Sequence, residues 1–443
     1  MVALRRGLRR WVLYPLIFLV VALLVAVVAG YAFYRLTLYK AGPAQSGRLA
    51  LTGGTVLLGP ELNPVANATV IIENGVIVAV GPDVEIPPDA ERRDVSGRTV
   101  LPGLIDSHVH LSSPERERGE EIGFWDMPGV VADWVRYYPG KRQDFLRHGV
   151  TTVRSMGDEN AWVHDFRRKI AQGELEGPRL LIAGPMFTTP GGHPIATFGL
   201  ERNSDAVRVP SSPEEAREMV RALVTGDDPV DLIKVIQERG NPERKVLEPI
   251  RPDILAAIID EAHRHHTKVF AHWGTREDLA DLVAAGIDGL DHLEPRGVRD
   301  GWPDGYPETL VQQGITLAPT LAVTDPGFDE DTRRAIYERL REFRDAGGRV
   351  IAGSDAGMPG VHAGDGLLRE IELLVAAGLT PHEAITAATV TPAAALRADT
   401  IGVIEPGRAA DLLIVRGDPL SDIGALRDVD AVLRDGRSVV AND

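Results

Sequence analysis

The stretch Val100-Leu101-Pro102-Gly103-Leu104-Ile105-Asp106-Ser107-His108-Val109-His110 decides how the rest of the chain is read. An apolar, β-rich run ends in two histidines spaced i and i+2. In a strand those positions point to one face, so both imidazoles can aim at one point. Lys234, His272, His292 and Asp355 also stand at or near the ends of separate apolar runs. If those runs lie side by side in one sheet, the six residues converge. Imidazole nitrogens and carboxylate oxygens are preferred ligands of Zn²⁺ and similar ions.

Working outward, apolar runs recur at Val100–Ile105, Val150–Arg154, Arg179–Ala183, Asp231–Ile236, Lys268–Ala271, Ile287–Asp291, Ile315–Pro319 and Arg349–Ala352. Helix-like segments such as Pro213–Val224, Ile254–His266, Asp278–Ala285 and Thr332–Asp345 lie between them. This alternation predicts an α/β fold, a (β/α)₈ TIM barrel over residues 101–401. Such barrels carry their sites at the C-terminal strand ends. Residues 49–100 hold short apolar runs, with Asn74-Gly75 between two of them as a hairpin signal. Ala410–Val415 and Ala431–Leu433 return to β after residue 402. Residues 49–100 and 402–443 are therefore expected to form one composite β-sandwich.

Composition narrows the chemistry. The chain has 443 residues, 44% hydrophobic and 25% charged, a globular balance that suggests a large domain with additions. A formal net charge of −16 argues against nucleic acid as a partner. There is no cysteine, which excludes disulfides and thiolate ligands and leaves the redox compartment open.

The N-terminus reads as a separate object. From Trp11 to Tyr34 no residue is charged. As a helix this run is about 36 Å long, enough to cross a ~30 Å hydrocarbon core. Trp11, Tyr14, Tyr31 and Tyr34 mark its ends like an aromatic belt, and Arg5, Arg6, Arg9 and Arg10 precede it. Residues 1–10 are expected to be a cytoplasmic basic segment and residues 11–34 a transmembrane anchor or uncleaved signal. Residues 35–48 are expected to be a linker. The catalytic part would then lie outside the cytoplasm, tethered to the membrane. The alternative is a secreted protein released by signal cleavage.

Lys234 stands out against a background that avoids lysine, with six lysines against 42 arginines. It sits within Leu232-Ile233-Lys234-Val235-Ile236, which belongs in a barrel wall. Burial depresses a lysine pKa by up to ~3–5 units. The neutral amine can then take up CO₂ as a carbamate, an anionic ligand able to bridge two metal ions. The competing reading is a lysine snorkelling from the mouth or pairing with an acid.

The sequence resembles the amidohydrolase superfamily, in particular its imidazolonepropionase-like and prolidase-type branches. The likeness spans roughly residues 49–440. It is carried by Pro102–His110, Gly149–Arg154, Gly191-Gly192-His193, Ile233-Lys234-Val235, Ala271-His272, Asp291-His292, Gly353–Gly357 and Ile404–Leu412. The resemblance implies a barrel with a small β-sandwich, metal-dependent hydrolysis and, for members bearing the lysine, two divalent ions. Relatives are often homo-oligomers. Trp273, Thr275 and Ser155 depart from the usual pattern near the expected mouth, which puts substrate preference in question.

From these roles, one ion, expected as Zn²⁺, would be held by His108, His110 and Asp355. The other would be held by His272 and His292, with carboxylated Lys234 shared. Metal coordination lowers the pKa of water to about 7, giving a hydroxide to attack the substrate carbonyl. Asp355 is the expected general base and then general acid. His193 is the expected oxyanion donor, or else a loop residue satisfied by backbone groups. His362 and Arg154 are candidates for binding substrate, Arg154 through its planar fork. The expected activity is cleavage of an amide or peptide bond in a small molecule, as in a dipeptidase. Hydrolysis or deamination of a small cyclic amide, as in imidazolonepropionase, is the alternative. A non-catalytic membrane-tethered binding protein is the third reading, and it would not need all six ligands.

Overall fold

The computed structural model describes residues 2–441, with side chains of the N-terminal helix described from Tyr14 onward. The expected roles of the Arg5–Arg10 and Trp11 side chains lie outside the described residues. Helix α1 spans Val2–Leu36. Its stretch Tyr14–Leu36 has a mean hydropathy of 2.9, and none of it is buried against the rest of the protein.

The parallel strands that carry the site are β1 (Leu104–Val109), β2 (Val150–Ser155), β3 (Arg179–Ile182), β4 (Leu232–Gln237), β5 (Lys268–Trp273), β6 (Gly289–Asp291), β7 (Thr316–Ala318) and β8 (Arg349–Val350). They pair as two sheets rather than one continuous ladder: β1–β3 in one, β4–β8 in the other. The third strand breaks at Gly184, whose φ of +64 redirects the chain. Its first half pairs with β2, and the continuation Met186–Phe187 pairs with β4. On the other side, Ser107 N donates to Ala352 O, Asp355 N to His108 O and His110 N to Ala356 O, at 2.8–2.9 Å. These bonds hold the end of β1 against the chain leaving β8, so the first and last site motifs are neighbours. Helices lie between the strands, as at Pro213–Val224 and Glu330–Asp345.

The run Val100–Ile105 does not act as one strand. Arg98–Pro102 joins the small β-domain, and β1 begins at Leu104. Gly103 marks the change of sheet: a Cβ there would lie 2.2 Å from Thr151 Oγ1.

The small domain takes strands from both chain ends, hydrogen-bonded along one path as an eight-stranded mixed sheet whose two halves share a core. Arg98–Pro102 is the splice, pairing parallel with Arg48–Leu58 and antiparallel with Leu412–Arg416. Alternation explains its two faces. Val100, Leu412, Ile414, Ala431 and Leu433 line the domain's own core, whereas Leu101, Leu413, Val415 and Val432 join the main core. At Asn74-Gly75 both residues have positive φ, 50° and 81°, as a two-residue hairpin turn requires.

Candidate active site

The five imidazoles form a row across the strand ends. Ring centroids are 5.4 Å apart for His110–His108, 4.9 Å for His108–His292, 4.8 Å for His292–His272 and 5.0 Å for His272–His193. Together with Lys234 and Asp355 they line a cavity of about 750 Å³. Its apolar wall includes Met186, Phe198, Leu200, Ile236 and Met358.

At one end, His108, His110 and Asp355 offer ligand atoms that all lie within 4.8 Å of one another. Nε2 of His108 and Nε2 of His110 stand 3.6 and 3.4 Å from Asp355 Oδ1. His110 Nδ1 faces the Gly157 carbonyl at 3.2 Å. Donation of its proton there leaves Nε2 free as a ligand. Asp106 organises the same corner from below. Its carboxylate accepts from Ser354 N (2.9 Å), Ser354 Oγ (2.6 Å) and His108 N (3.3 Å). Asp355 then follows with φ +64, a left-handed conformation that non-glycine residues rarely adopt.

The other end is satisfied differently. His272 Nε2 meets Glu238 Oε2 at 3.1 Å, and Glu238 Oε1 accepts from Arg296 at 2.8 Å. His292 Nδ1 meets Thr320 Oγ1 at 2.8 Å. Lys234 is buried, and its ammonium donates to Asp291 Oδ2 at 2.5 Å. Asp291 also stands 3.3 Å from His108 Nδ1 and accepts from Arg154 at 2.9 Å. His292 has φ +70, so the usual strand alternation is broken at the Asp291-His292 step.

Burial sets the charge states. It pushes the His108 imidazole down to about 4 against the pull of Asp291, and His193 to about 3 with help from His272. His292 is held well below its ordinary value by burial and by the neighbouring His272 and His108. Neutral imidazole is the form that binds a metal. Burial also lowers Lys234, opposed by Asp291. Burial alone would raise Asp291 and Glu238. Lys234, His108 and Arg154 outweigh it at Asp291, and His272 and Arg296 hold Glu238 down to about 2.

The donor set fits a divalent cation. Nε2 of His108 and Oδ1 of Asp355 are buried without a hydrogen-bond partner. Such atoms are costly unless something else coordinates them. Nitrogen and oxygen ligands with no thiolate suit Zn²⁺ and related ions.

Several expected site residues lie elsewhere. Arg154 is fully buried beneath the cavity, donates to Ser107 O and Asp291, and lies over the Phe270 ring at 4.2 Å. It positions Asp291 and is not among the cavity-lining residues. His362 is not among the cavity-lining residues; its Nε2 stands 3.2 Å from Glu117 on the outer loop. Trp273 is buried with Nε1 donating to the His292 carbonyl, Ser155 donates to Asp158, and Thr275 caps the next helix. None of these three lines the cavity.

Sequence reading gave no site role to Glu238, Asp291, Thr320 or the cavity-lining Glu294. Glu238 had a signal: Lys234, Ile236 and Glu238 share a strand face by their spacing. Glu294 had none, and burial raises its carboxyl above the ordinary range.

Known proteins share this architecture. The imidazolonepropionase of Geobacillus kaustophilus is 28% identical over 426 residues, spanning 86% of this chain and 92% of the relative. The ochratoxinase of Aspergillus niger is 23% identical over 415 residues, spanning 85% and 83%. A prolidase structure complexed with N-methylphosphonate-L-proline matches at TM-score 0.71 and 25% identity, covering 89% of this chain and all of that one. Residues 99–439 match the model of the amidohydrolase family, so the chain belongs to that family and is a metal-dependent hydrolase of carbon–nitrogen bonds.

Proposed function

We propose that the protein hydrolyses an amide or peptide bond in a small N-acyl or dipeptide-like substrate, using two divalent ions, Zn²⁺ in the first instance. The observation that carries this reading is the row of five imidazoles flanked by Asp355 and a buried lysine at one cavity. When bound, the ions supply hydroxide at neutral pH and polarise the scissile carbonyl.

The chain's own residues do the rest. His108, His110 and Asp355 would hold one ion; His272 and His292 would hold the other, with carboxylated Lys234 between them. Carboxylation turns a buried cation into an anion, which the charge of the ions balances. It leaves one N–H on Nζ, able to go on donating to Asp291. The pairing of Glu238 with His272 Nε2 leaves Nδ1 as that ring's ligand atom. Asp355, holding the ion through Oδ1, would take the proton on its other oxygen, Oδ2, as the nucleophile attacks and return it to the leaving amine. Thr197 Oγ1 lies 2.6 Å from His193 Nδ1. If it donates there, the imidazole proton sits on Nε2, ready for the developing oxyanion. Met186, Phe198 and Leu200 would shield the reacting centre from bulk water.

Membrane anchoring through α1, with the barrel outside the cytoplasm, is part of the same reading. It is supported by the length and hydropathy of Tyr14–Leu36 and by the exposure of nearly all its side chains.

The test is a zinc-reconstituted full chain assayed on N-acyl amino acids, dipeptides and small cyclic amides, alongside metal stoichiometry. Release of free amino acids by a two-metal form is the expected result. Turnover of cyclic amides alone by a one-metal form would favour the imidazolonepropionase-like alternative, which the compact His108–His110–Asp355 trio could serve unaided. No hydrolysis by the metal-replete protein would refute both.

A further inference from the structure

The chain leaving β1 first lines the cavity, through Ser112, Ser113, Pro114, Arg118 and Gly119, and then runs into an uncovered apolar surface. Phe124 is 80% exposed and Trp125 87%, their rings packed edge to face at 5.3 Å. Helix α2 (Met127–Val135) follows, and none of its residues is buried. Met127, Val131 and Val135 point outward. A helix of a soluble surface normally buries its apolar stripe. This one is tied down at its end by Trp134, which stacks on Trp162 at 5.8 Å and whose carbonyl accepts from Trp162 Nε1. The two acids of the segment are engaged locally: Asp126 accepts from Gly123 N, and Asp133 pairs with Arg136.

What would cover this surface is indicated by its neighbour. Arg136, the residue after α2, lays its guanidinium over the Phe33 ring at 5.6 Å and donates to Thr37 Oγ1 at 2.9 Å. Phe33 belongs to the last turns of the apolar stretch of α1. Just beyond, the Leu38 carbonyl accepts from Arg142 at 2.7 Å, fixing the end of α1 to the barrel wall. The uncovered aromatics and α2 therefore stand beside the end of the candidate span, where a bilayer has its interface. Tryptophan and other amphipathic or apolar side chains favour that layer.

We propose that Phe124, Trp125 and the outward face of α2 lie in the interfacial layer of the phospholipid bilayer that holds α1. The inference rests on the insertion of α1 proposed above. It makes the β1 edge of the cavity the edge nearest the lipid.

The native chain lacks cysteine, so single cysteines report unambiguously. Full-length Val25→Cys, Phe124→Cys, Trp125→Cys and Glu330→Cys proteins would be labelled with an environment-sensitive fluorophore. They would then be placed in phosphatidylcholine nanodiscs whose lipids carry a nitroxide near the headgroup or near the chain end. The expected result is quenching at Val25 chiefly by the chain-end nitroxide, roughly twofold quenching at positions 124 and 125 by the headgroup nitroxide, and none at Glu330. Quenching at Val25 with positions 124 and 125 behaving like Glu330 would overturn the inference while leaving the anchor in place. Blue-shifted but unquenched emission at 124 and 125 would also overturn it, pointing to a second copy of the chain as the cover. An unquenched Val25 would contradict the anchor, and the inference with it.

Discussion

The two halves of the cavity floor differ in how their polar atoms are occupied. At the His108–His110–Asp355 end, ligand atoms converge within 4.8 Å, and two of them, His108 Nε2 and Asp355 Oδ1, are buried without hydrogen-bond partners. Each such atom costs about 1–3 kcal/mol if left unmet. At the His272–His292–Lys234 end, Glu238, Thr320 and Asp291 already engage the three side chains. The first end is an open ligand set. The second is self-satisfied; on the proposed reading it becomes one when Lys234 exchanges its ammonium for a carbamate. On that reading the difference makes the lysine, rather than the histidines, the group that decides whether the site holds one ion or two.

The largest expected effect is at the open end. Asp355→Asn should lower turnover by on the order of 10²–10⁴, with the circular dichroism spectrum unchanged. Near-normal turnover would remove Asp355 from the proton transfers. Next comes the lysine. In Lys234→Ala, metal content measured by mass spectrometry should fall by half, with activity lost and partly restored by added short-chain carboxylates. Unchanged stoichiometry would mean that the second end binds its ion without the lysine.

A smaller effect is expected at the carboxylate behind His272. Glu238→Gln should weaken binding of the second ion by roughly 10- to 100-fold and leave the first largely untouched, as read by titration against a chelator. Equal weakening at both ends would erase the distinction between them.

The smallest effect concerns the support behind His292. Glu370 accepts from Ala322 N at 2.7 Å, on the turn that presents Thr320 to His292. Burial raises the Glu370 carboxyl to about 8 from an ordinary 4.5. The folded protein therefore binds the proton more tightly than the unfolded chain, and this group's contribution to stability declines as pH rises from about 4.5 to 8. Glu370→Gln removes that slope. The melting temperature of the variant should gain on the native protein across this window, and parallel curves would contradict the assignment.

Much of the site was readable from local pattern. His108 and His110 share a face by their spacing, and Lys234 betrays itself by sitting in an apolar run. His272, His292 and Asp355 end or follow such runs, where a barrel gathers its functional groups. What escaped reading depends on depth and on pairing across the chain. Arg154 lies on a strand like the others, yet it points into the barrel floor toward Asp291, 137 residues away. No local periodicity distinguishes floor from mouth. The small domain shows the same limit. The pattern gives its strands but not their partners: Arg98–Pro102 pairs with Leu412–Arg416, far along the chain. His362 follows β8 as a substrate-binding residue would, but its loop turns it toward Glu117.

The most direct test is anomalous diffraction from crystals of the full chain grown with zinc and bicarbonate. Two zinc peaks are predicted, one among His108, His110 and Asp355 and one beside His272 and His292, with carbamate density running from Lys234 to both. A single peak beside a bare Lys234 ammonium still bound to Asp291 would contradict the two-metal account.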